Sequence, residues 1–403
     1  MCDPPTRLTA RKGAFVRIST EQRRARLGSR HRLARKAATP EEAAASVVAL
    51  HGTDPATVFL SAGARLAEPG PEPVERALYT ERTLVRMTGM RRTVFVVPAG
   101  LAPVVHHSSM LPIARRERAS MLKAFGPGGW DDARLKEVEA SVLAALAAAG
   151  EATTTELGVL EPRLREQVRV AVGKPYEGVV SVGSRLLPLM AMDGLLVRRG
   201  RHSGTWISGQ HRWGLAPEMA ELAVHEAQAE LARRWLAAFG PGTEADLKWW
   251  TGWTLKDVRA ALAAVGAVAV ELAEGTGFVL PGDLDEVAAP EPWAALLPAL
   301  DPTPMGWQAR DWYLPPEHRA ELFDRSGNIG PTVWWDGRVV GGWAQRRDGE
   351  IVWRLLADVG ADARAAVEAE VAGLAAWLGG ITVTPRFRTP LERALSAGPS
   401  AES

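Results

Sequence analysis

At 403 residues, 46% of them hydrophobic and 24% charged, the chain has the composition of an ordinary folded protein and the length for about two to four structural units. Its one cysteine, Cys2, excludes a disulfide framework or a thiolate metal cluster within one chain, and no run of roughly 18 apolar residues offers a membrane span. The formal net charge of +1 does not advertise a polyanionic partner for the molecule as a whole, and a start from Met1 to Phe15 without the apolar core of a secretory signal makes the cytoplasm the expected compartment.

Charge is unevenly spread. From Arg7 to Lys36 the basic residues Arg11, Lys12, Arg17, Arg23, Arg24, Arg26, Arg30, Arg32 and Arg35 are accompanied by a single acid, Glu21. That run is either a solvated helix face or an electrostatic footprint for a polyanion. Helices are predicted near Glu21 to Ala37, Pro40 to Leu50 and Pro73 to Met87, followed by strand from Met90 to Val97. Gly126-Pro127-Gly128-Gly129 lacks a preceding strand and the lysine of a phosphate loop, and reads as a turn.

From Leu135 to Ala149, Val138, Val142, Leu143 and Leu146 fall on one helical face, and Gly150 stops the helix. Thr153-Thr154-Thr155-Glu156 supplies candidate caps for a second helix, and Leu186 to Met192 belongs to a third that Asp193-Gly194 breaks. Leu195 to Val197 and Thr205 to Ile207 are predicted strands on either side of a basic tip, Arg198 to Gly204. The same plan recurs from Ala223 to Leu280: a long helix through Trp235, the turn Phe239 to Thr243, helices around Trp249-Trp250 and from Leu255 to Ala264, then a hairpin from Val268 to Leu280. Beyond Pro290 glycine and proline increase, and the Asp336-Gly337 dipeptide predicts a hairpin because its glycine tolerates positive φ. Gly349 turns a second strand pair, and a terminal helix is predicted near Val367 to Leu378.

Helices followed by a hairpin, three times over, predict an α+β, mainly helical fold of three tandem winged-helix motifs with a small C-terminal β-barrel-like domain. The expected units are 1–125, 126–220, 221–289 and 290–395, with a disordered tail at 396–403. A winged helix presents its last helix to a DNA groove and lays its hairpin tip along the backbone, where arginines neutralise phosphates. Arg91 and Arg92 in the first unit and Arg198, Arg199 and Arg201 in the second fit that role, whereas Glu271 and Glu274 make the third hairpin a structural one. Winged helices also serve as protein-protein spacers, and that alternative stands beside the first. Duplex DNA is therefore the expected partner and a monomer the expected state. The 15 tryptophans invite base stacking, but Trp249, Trp250 and Trp253 at helical spacing and Trp334, Trp335, Trp343 and Trp353 in predicted strands suit core packing better. The histidines show no metal-ligand spacing, and the adjacent His106-His107 pair suits a loop or helix end; no metal or cofactor is expected.

Four segments together resemble the winged-helix family that contains the AlkZ and YcaQ type DNA glycosylases. They are Val47 to Pro55 through Leu60-Ser61, Thr88 to Thr93, Phe239 to Thr243 with Trp249-Trp250, and Leu297 to Pro302. The resemblance covers most of the chain. It implies three winged helices around a DNA-sized concavity, a C-terminal β-barrel, and release of alkylated bases or unhooking of interstrand crosslinks. Characterised members carry glutamine, an apolar residue, then glutamine or aspartate where this chain reads His51-Gly52-Thr53. The candidate catalytic residues are thus His51, Thr53 and Asp54, with Asp54 supplying a carboxylate one place later and His51 a hydrogen bond to water or nucleotide. Thr53-Asp54-Pro55 has a second reading, a helix end with a capping turn. A non-catalytic DNA binder on the same scaffold is the alternative function.

Overall fold

Local capping chemistry sets most element boundaries in the computed structural model, which describes residues 16–175, 177–201 and 204–397 and not the side chain of Arg201. The Ser19 and Thr39 hydroxyls accept from the Gln22 and Glu42 amides and start helices α1 (Thr20–Arg30) and α2 (Pro40–Ser46). The short strand β1 (Leu50–His51) leads into α3 (Pro55–Gly63), which has Asp54 as its cap and proline in its first turn. Helix α4 (Pro71–Glu75) continues as a wider turn to Thr80, and the chain then forms a hairpin of β2 (Leu84–Thr88) and β3 (Val94–Pro98). Sheet order is β1-β3-β2, all antiparallel. The predicted helix from Pro73 to Met87 is thus only half helical. Arg82 turns the chain at φ +59°, and the Leu84 to Thr88 run pairs with Val94 to Pro98.

Helices α5 (Ala102–Val105) and α6 (Leu111–Phe125) are joined by a π-helical turn containing His106-His107, so this pair lies within helix rather than in a loop or at a helix end. Then come α7 (Asp132–Ala149), β4 (Glu151–Ala152), α8 (Thr154–Leu160), the hairpin β5 (Gln167–Val170) and β6 (Gly178–Ser181), α9 (Val182–Met192), and β7 (Leu196–Arg201) with β8 (His211–Leu215). Thr153 and Glu156 form a reciprocal capping box at α8. Sheet order β4-β8-β7 closes this unit. The return strand differs from expectation. Thr205-Trp206-Ile207 is not strand; Trp206 is buried against Phe59 and Trp377, ring centroids 5.2 and 5.4 Å away, and the loop docks on α3. Arg198 and Arg199 consequently lie within β7, not at its tip.

The third stretch comprises α10 (Val224–Phe239), α11 (Glu244–Thr251), α12 (Leu255–Ala264) and the hairpin β9 (Val268–Leu272) and β10 (Gly275–Val279). The last is an open four-stranded sheet of β11 (Ala294–Leu297), β12 (Thr332–Trp335), β13 (Arg338–Gln345) and β14 (Ile351–Leu355), with α13 (Arg319–Leu322), α14 (Gly360–Leu378) and α15 (Pro390–Ala397). Its order is β11-β12-β13-β14, and the outer strands do not pair among the described residues, so no closed barrel forms there. Helices cover it instead, α14 on β11 and α15 on β13. Ser396 and Ala397, expected in the tail, belong to α15, whereas residues 398–403 lie outside the described residues.

One core joins the first, third and last stretches, and a second core belongs to residues 110–213. At the centre of the first sits a buried polar network. Arg65 and Asp301, both 0% exposed, make a bidentate pair at 2.8 and 2.8 Å. Arg65 also donates to the Thr303 hydroxyl at 2.7 Å, and that hydroxyl meets His31 Nδ1 at 2.9 Å. Helix α1 is drawn into the same interior. Arg23 pairs with Glu274 and lies 4.2 Å from the Trp312 ring centroid, Arg26 donates to the Asp285 carbonyl at 2.6 Å, and Arg30 pairs with Asp283. Much of the basic run is therefore an internal clamp rather than a solvated face.

Candidate nucleic-acid interface

The turn from His51 to Asp54 crosses the edge of the first sheet. Leu50 and His51 pair with Val96 and Phe95, and the Gly52 amide donates to the Val94 carbonyl at 2.7 Å. A side chain at Gly52 would meet Val94 at 3.2 Å, so the turn presses tightly on the strand. His51 is 8% exposed, stands edge-on to Phe95 with ring centroids 5.5 Å apart, and has a buried Nδ1 with no partner. Burial, reinforced by the positive charge of Arg91, pushes its pKa down to about 4. The ring is neutral at pH 7 and offers one donor and one acceptor. Asp54 is also 8% exposed, and both its oxygens are engaged: Oδ1 accepts from the Ala56 amide at 3.2 Å and Oδ2 from the Arg386 amide at 3.0 Å. It caps α3 and ties the C-terminal segment to it. Thr53 lies half-buried between them.

The arginines expected to grip a backbone divide by environment. Arg91 and Arg92 form the tip between β2 and β3, both exposed and both at positive φ, +55° and +60°. Arg91 lies over the Trp249 ring at 4.3 Å, and Arg310 lies over the same ring at 4.9 Å. This pins the first hairpin to α11. Arg92 is paired with Glu117 at 3.0 Å and remains 51% exposed. Arg198 lies beside Trp213, 5.7 Å from the ring centroid, and burial with the nearby charge of Arg86 holds its pKa down to about 10. Arg199 folds back to donate to the Leu215 carbonyl at 2.7 Å. The Arg201 backbone lies opposite His211, while its side chain lies outside the described residues.

Two residues that the sequence does not single out join this region. Arg86, on β2 opposite Val96, donates to the Gly52 carbonyl and so reaches the His51 to Asp54 turn. His211, on β8, is pushed down to about 4 by burial and then by Arg198 and Arg86. The strand-like Leu84-Val85-Arg86 run is the available signal for Arg86; nothing local points to His211. Among the described residues no group of three or more His, Cys, Asp or Glu is placed to hold a metal ion, and no helix is long and apolar enough to cross a membrane.

The arrangement defines a multi-hairpin α+β protein in which a tight polar turn sits beside a cationic seam. Residues 11–377 match the family described as AlkZ-like DNA glycosylase, and the chain belongs to that family. Among solved structures, the Streptomyces sahachiroi DNA glycosylase AlkZ has the same fold, with a TM-score of 0.70 over 91% of this chain and 98% of its own at 22% identity. No match was found among curated proteins.

Proposed function

We propose that the protein binds duplex DNA and releases alkylated bases or unhooks crosslinks, with the lesion facing the His51 to Asp54 turn. The observation that carries this reading is that His51 Nδ1 and Arg86 Nε lie buried at that turn without partners, Arg86 being held on the Gly52 carbonyl and the loop before His211 bringing Gly209 beside Pro55. The cationic seam there attracts a polyanion. The order α7, β4, α8, α9, β7 and β8, with the β5–β6 hairpin inserted between α8 and α9, supports a winged-helix reading of residues 126–220. Family membership supports the reaction class.

In a cationic N-alkylpurine the C1′–N9 bond breaks with its electron pair moving into the base, which leaves neutral. Water then bonds to C1′ and gives up a proton. The protein must orient that water and stabilise the cationic sugar. Asp54 is the carboxylate of the turn, and His51, neutral, can accept a hydrogen bond from the water. Access requires extrusion or groove probing, at a few kcal/mol that a damaged pair reduces.

A second reading, DNA binding without turnover, is favoured by the two backbone hydrogen bonds that occupy Asp54. The assay that separates them follows release of N7-methylguanine or N3-methyladenine, and unhooking of a nitrogen-mustard crosslink, by wild type, His51→Ala and Asp54→Asn. Asparagine keeps the α3 cap through its one carbonyl oxygen but cannot also accept from the Arg386 amide, so the unfolding midpoint of the variant is measured beside its activity. A drop of about 100-fold is expected for Asp54→Asn with duplex affinity retained. Duplex binding without release by wild type establishes the second reading, and full activity of Asp54→Asn removes Asp54 from the chemistry.

A further inference from the structure

A guanidinium taken out of water needs an anion or a full set of acceptors, because an uncompensated buried charge is costly. The buried arginines of the core follow this rule: Arg23 with Glu274, Arg26 with Asp283, Arg65 with Asp301. Two half-buried arginines in the seam between the β2–β3 and β7–β8 hairpins have no such carboxylate pair. Strand β2 packs against β7, which pairs with β8, and this sets the Arg86 and Arg198 charges against each other and both against His211. Among the described residues no ion pair or hydrogen bond engages the Arg198 guanidinium, which rests against the Trp213 ring. Arg86 spends one amino group on the Gly52 carbonyl, and its Nε is buried without a partner. Asp54 offsets part of its charge, but both Asp54 oxygens are committed to backbone amides. His211 donates from Nδ1 to the Gly209 carbonyl at 3.4 Å and leaves Nε2 buried and unpartnered, with its ring edge-on to Trp213.

We propose that Arg86, Arg198 and His211 form a site for a phosphate-bearing anion in this seam, beside the His51 to Asp54 turn. Guanidinium edges suit tetrahedral oxyanions, since parallel N–H groups reach two oxygens at once. The anion supplies the missing countercharge, and its presence favours a proton on His211 Nε2, which turns that nitrogen from acceptor to donor. The docked loop carrying Trp206 holds β7 and β8 against the first unit, with Gly209 near Pro55, so the donors come from two units. The assignment of the anion to a DNA backbone phosphate rests on the DNA-binding reading above.

The test compares inorganic phosphate with sodium chloride at equal ionic strength in thermal unfolding of the full chain. Saturating phosphate should raise the wild-type midpoint by about 3–5 °C more than chloride and leave Arg198→Met and His211→Gln unmoved. Without phosphate, Arg198→Met should be at least as stable as wild type, because it removes a cation that repels Arg86. A lowered midpoint would mark Arg198 as structural and overturn the site, as would the absence of a phosphate-specific shift in wild type. Phosphate that displaces duplex beyond the chloride effect assigns the site to the backbone; phosphate that stabilises without displacing duplex assigns it to a free phosphate-bearing molecule and overturns the backbone assignment. Failure of the DNA-binding reading shows separately, as no duplex binding by wild type at low salt.

Discussion

Acidification through pH 6.5 to 5.5 should destabilise this fold, and His31 shows why. Its ring is 0% exposed, with Nε2 against the Ala238 carbonyl at 3.1 Å and Nδ1 against the Thr303 hydroxyl at 2.9 Å. The carbonyl can only accept, so Nε2 carries the proton and Nδ1 takes one from Thr303, which in turn accepts from Arg65 at 2.7 Å. A second ring proton would force the Thr303 hydroxyl from donor to acceptor and set a cation in the interior beside Arg65, and burial first, then the Arg65 charge, holds the pKa down to about 3 against an ordinary 6.5. The unfolded chain therefore takes up a proton that the fold refuses. Stability from this source is whole above about pH 6.5 and falls steadily as the pH drops toward the folded value. At pH 5.5 the loss is roughly 1–2 kcal/mol. His51 and His106, 8% and 6% exposed, are both pushed down to about 4, chiefly by burial, and act with the same sign. With His211, also pushed down to about 4, four such groups amount to roughly 4–7 kcal/mol, a large share of the 5–15 kcal/mol typical of a folded domain. Urea midpoints at pH 7.5 and 5.5, at equal ionic strength, measure it. His31→Gln should shrink the difference between the two pH values by about one histidine's share. A wild-type midpoint that does not move, or a His31→Gln difference equal to that of wild type, refutes the reasoning.

Asp301→Asn should cost about 3–5 kcal/mol in the same denaturation assay, because it strands the Arg65 cation in the buried core, and adding Arg65→Met should recover part of the loss. Arg23→Met should cost about 2 kcal/mol through its Glu274 pair and leave the salt dependence of duplex binding unchanged. Arg91→Ala with Arg92→Ala should lower the slope of log affinity against log salt by about 0.9 for each phosphate that the tip neutralises in wild type; an unchanged slope would remove the tip from the interface.

Where local chemistry decides, the sequence is readable. Thr153 and Glu156 mark the start of α8, Gly150 the end of α7, and Asp336-Gly337 the turn between β12 and β13, with φ of +43° and +78°. The failures arise where packing between segments distant in sequence overrides local preference. Thr205-Trp206-Ile207 has the composition of a strand, yet burying Trp206 against Phe59 and Trp377 outweighs a ladder position, and His211 to Leu215 pairs instead. Asp54 reads equally as cap or catalyst from Asp54-Pro55 alone, and its second partner, the Arg386 amide, is 332 positions away.

Charge density along the chain misleads in both directions for one reason: a guanidinium's availability depends on whether the fold brings it a countercharge. The run from Arg17 to Arg30 looks like a polyanion footprint. Helix α1 passes through the interior, however, and Glu274 and Asp283, brought there by the third stretch, supply countercharge to Arg23, Arg26 and Arg30. Arg86 does not stand out inside an expected helix, and Arg198 is expected at an exposed tip. The meeting of two hairpins sets them together with only Asp54 nearby, itself held by two backbone amides, so the cationic character survives at a place the sequence does not mark. An interface for a polyanion is therefore found by subtracting the arginines that the core consumes. What remains beside His51 to Asp54 is the Arg86, Arg198 and His211 seam, with Arg91 and Arg92 at the neighbouring tip.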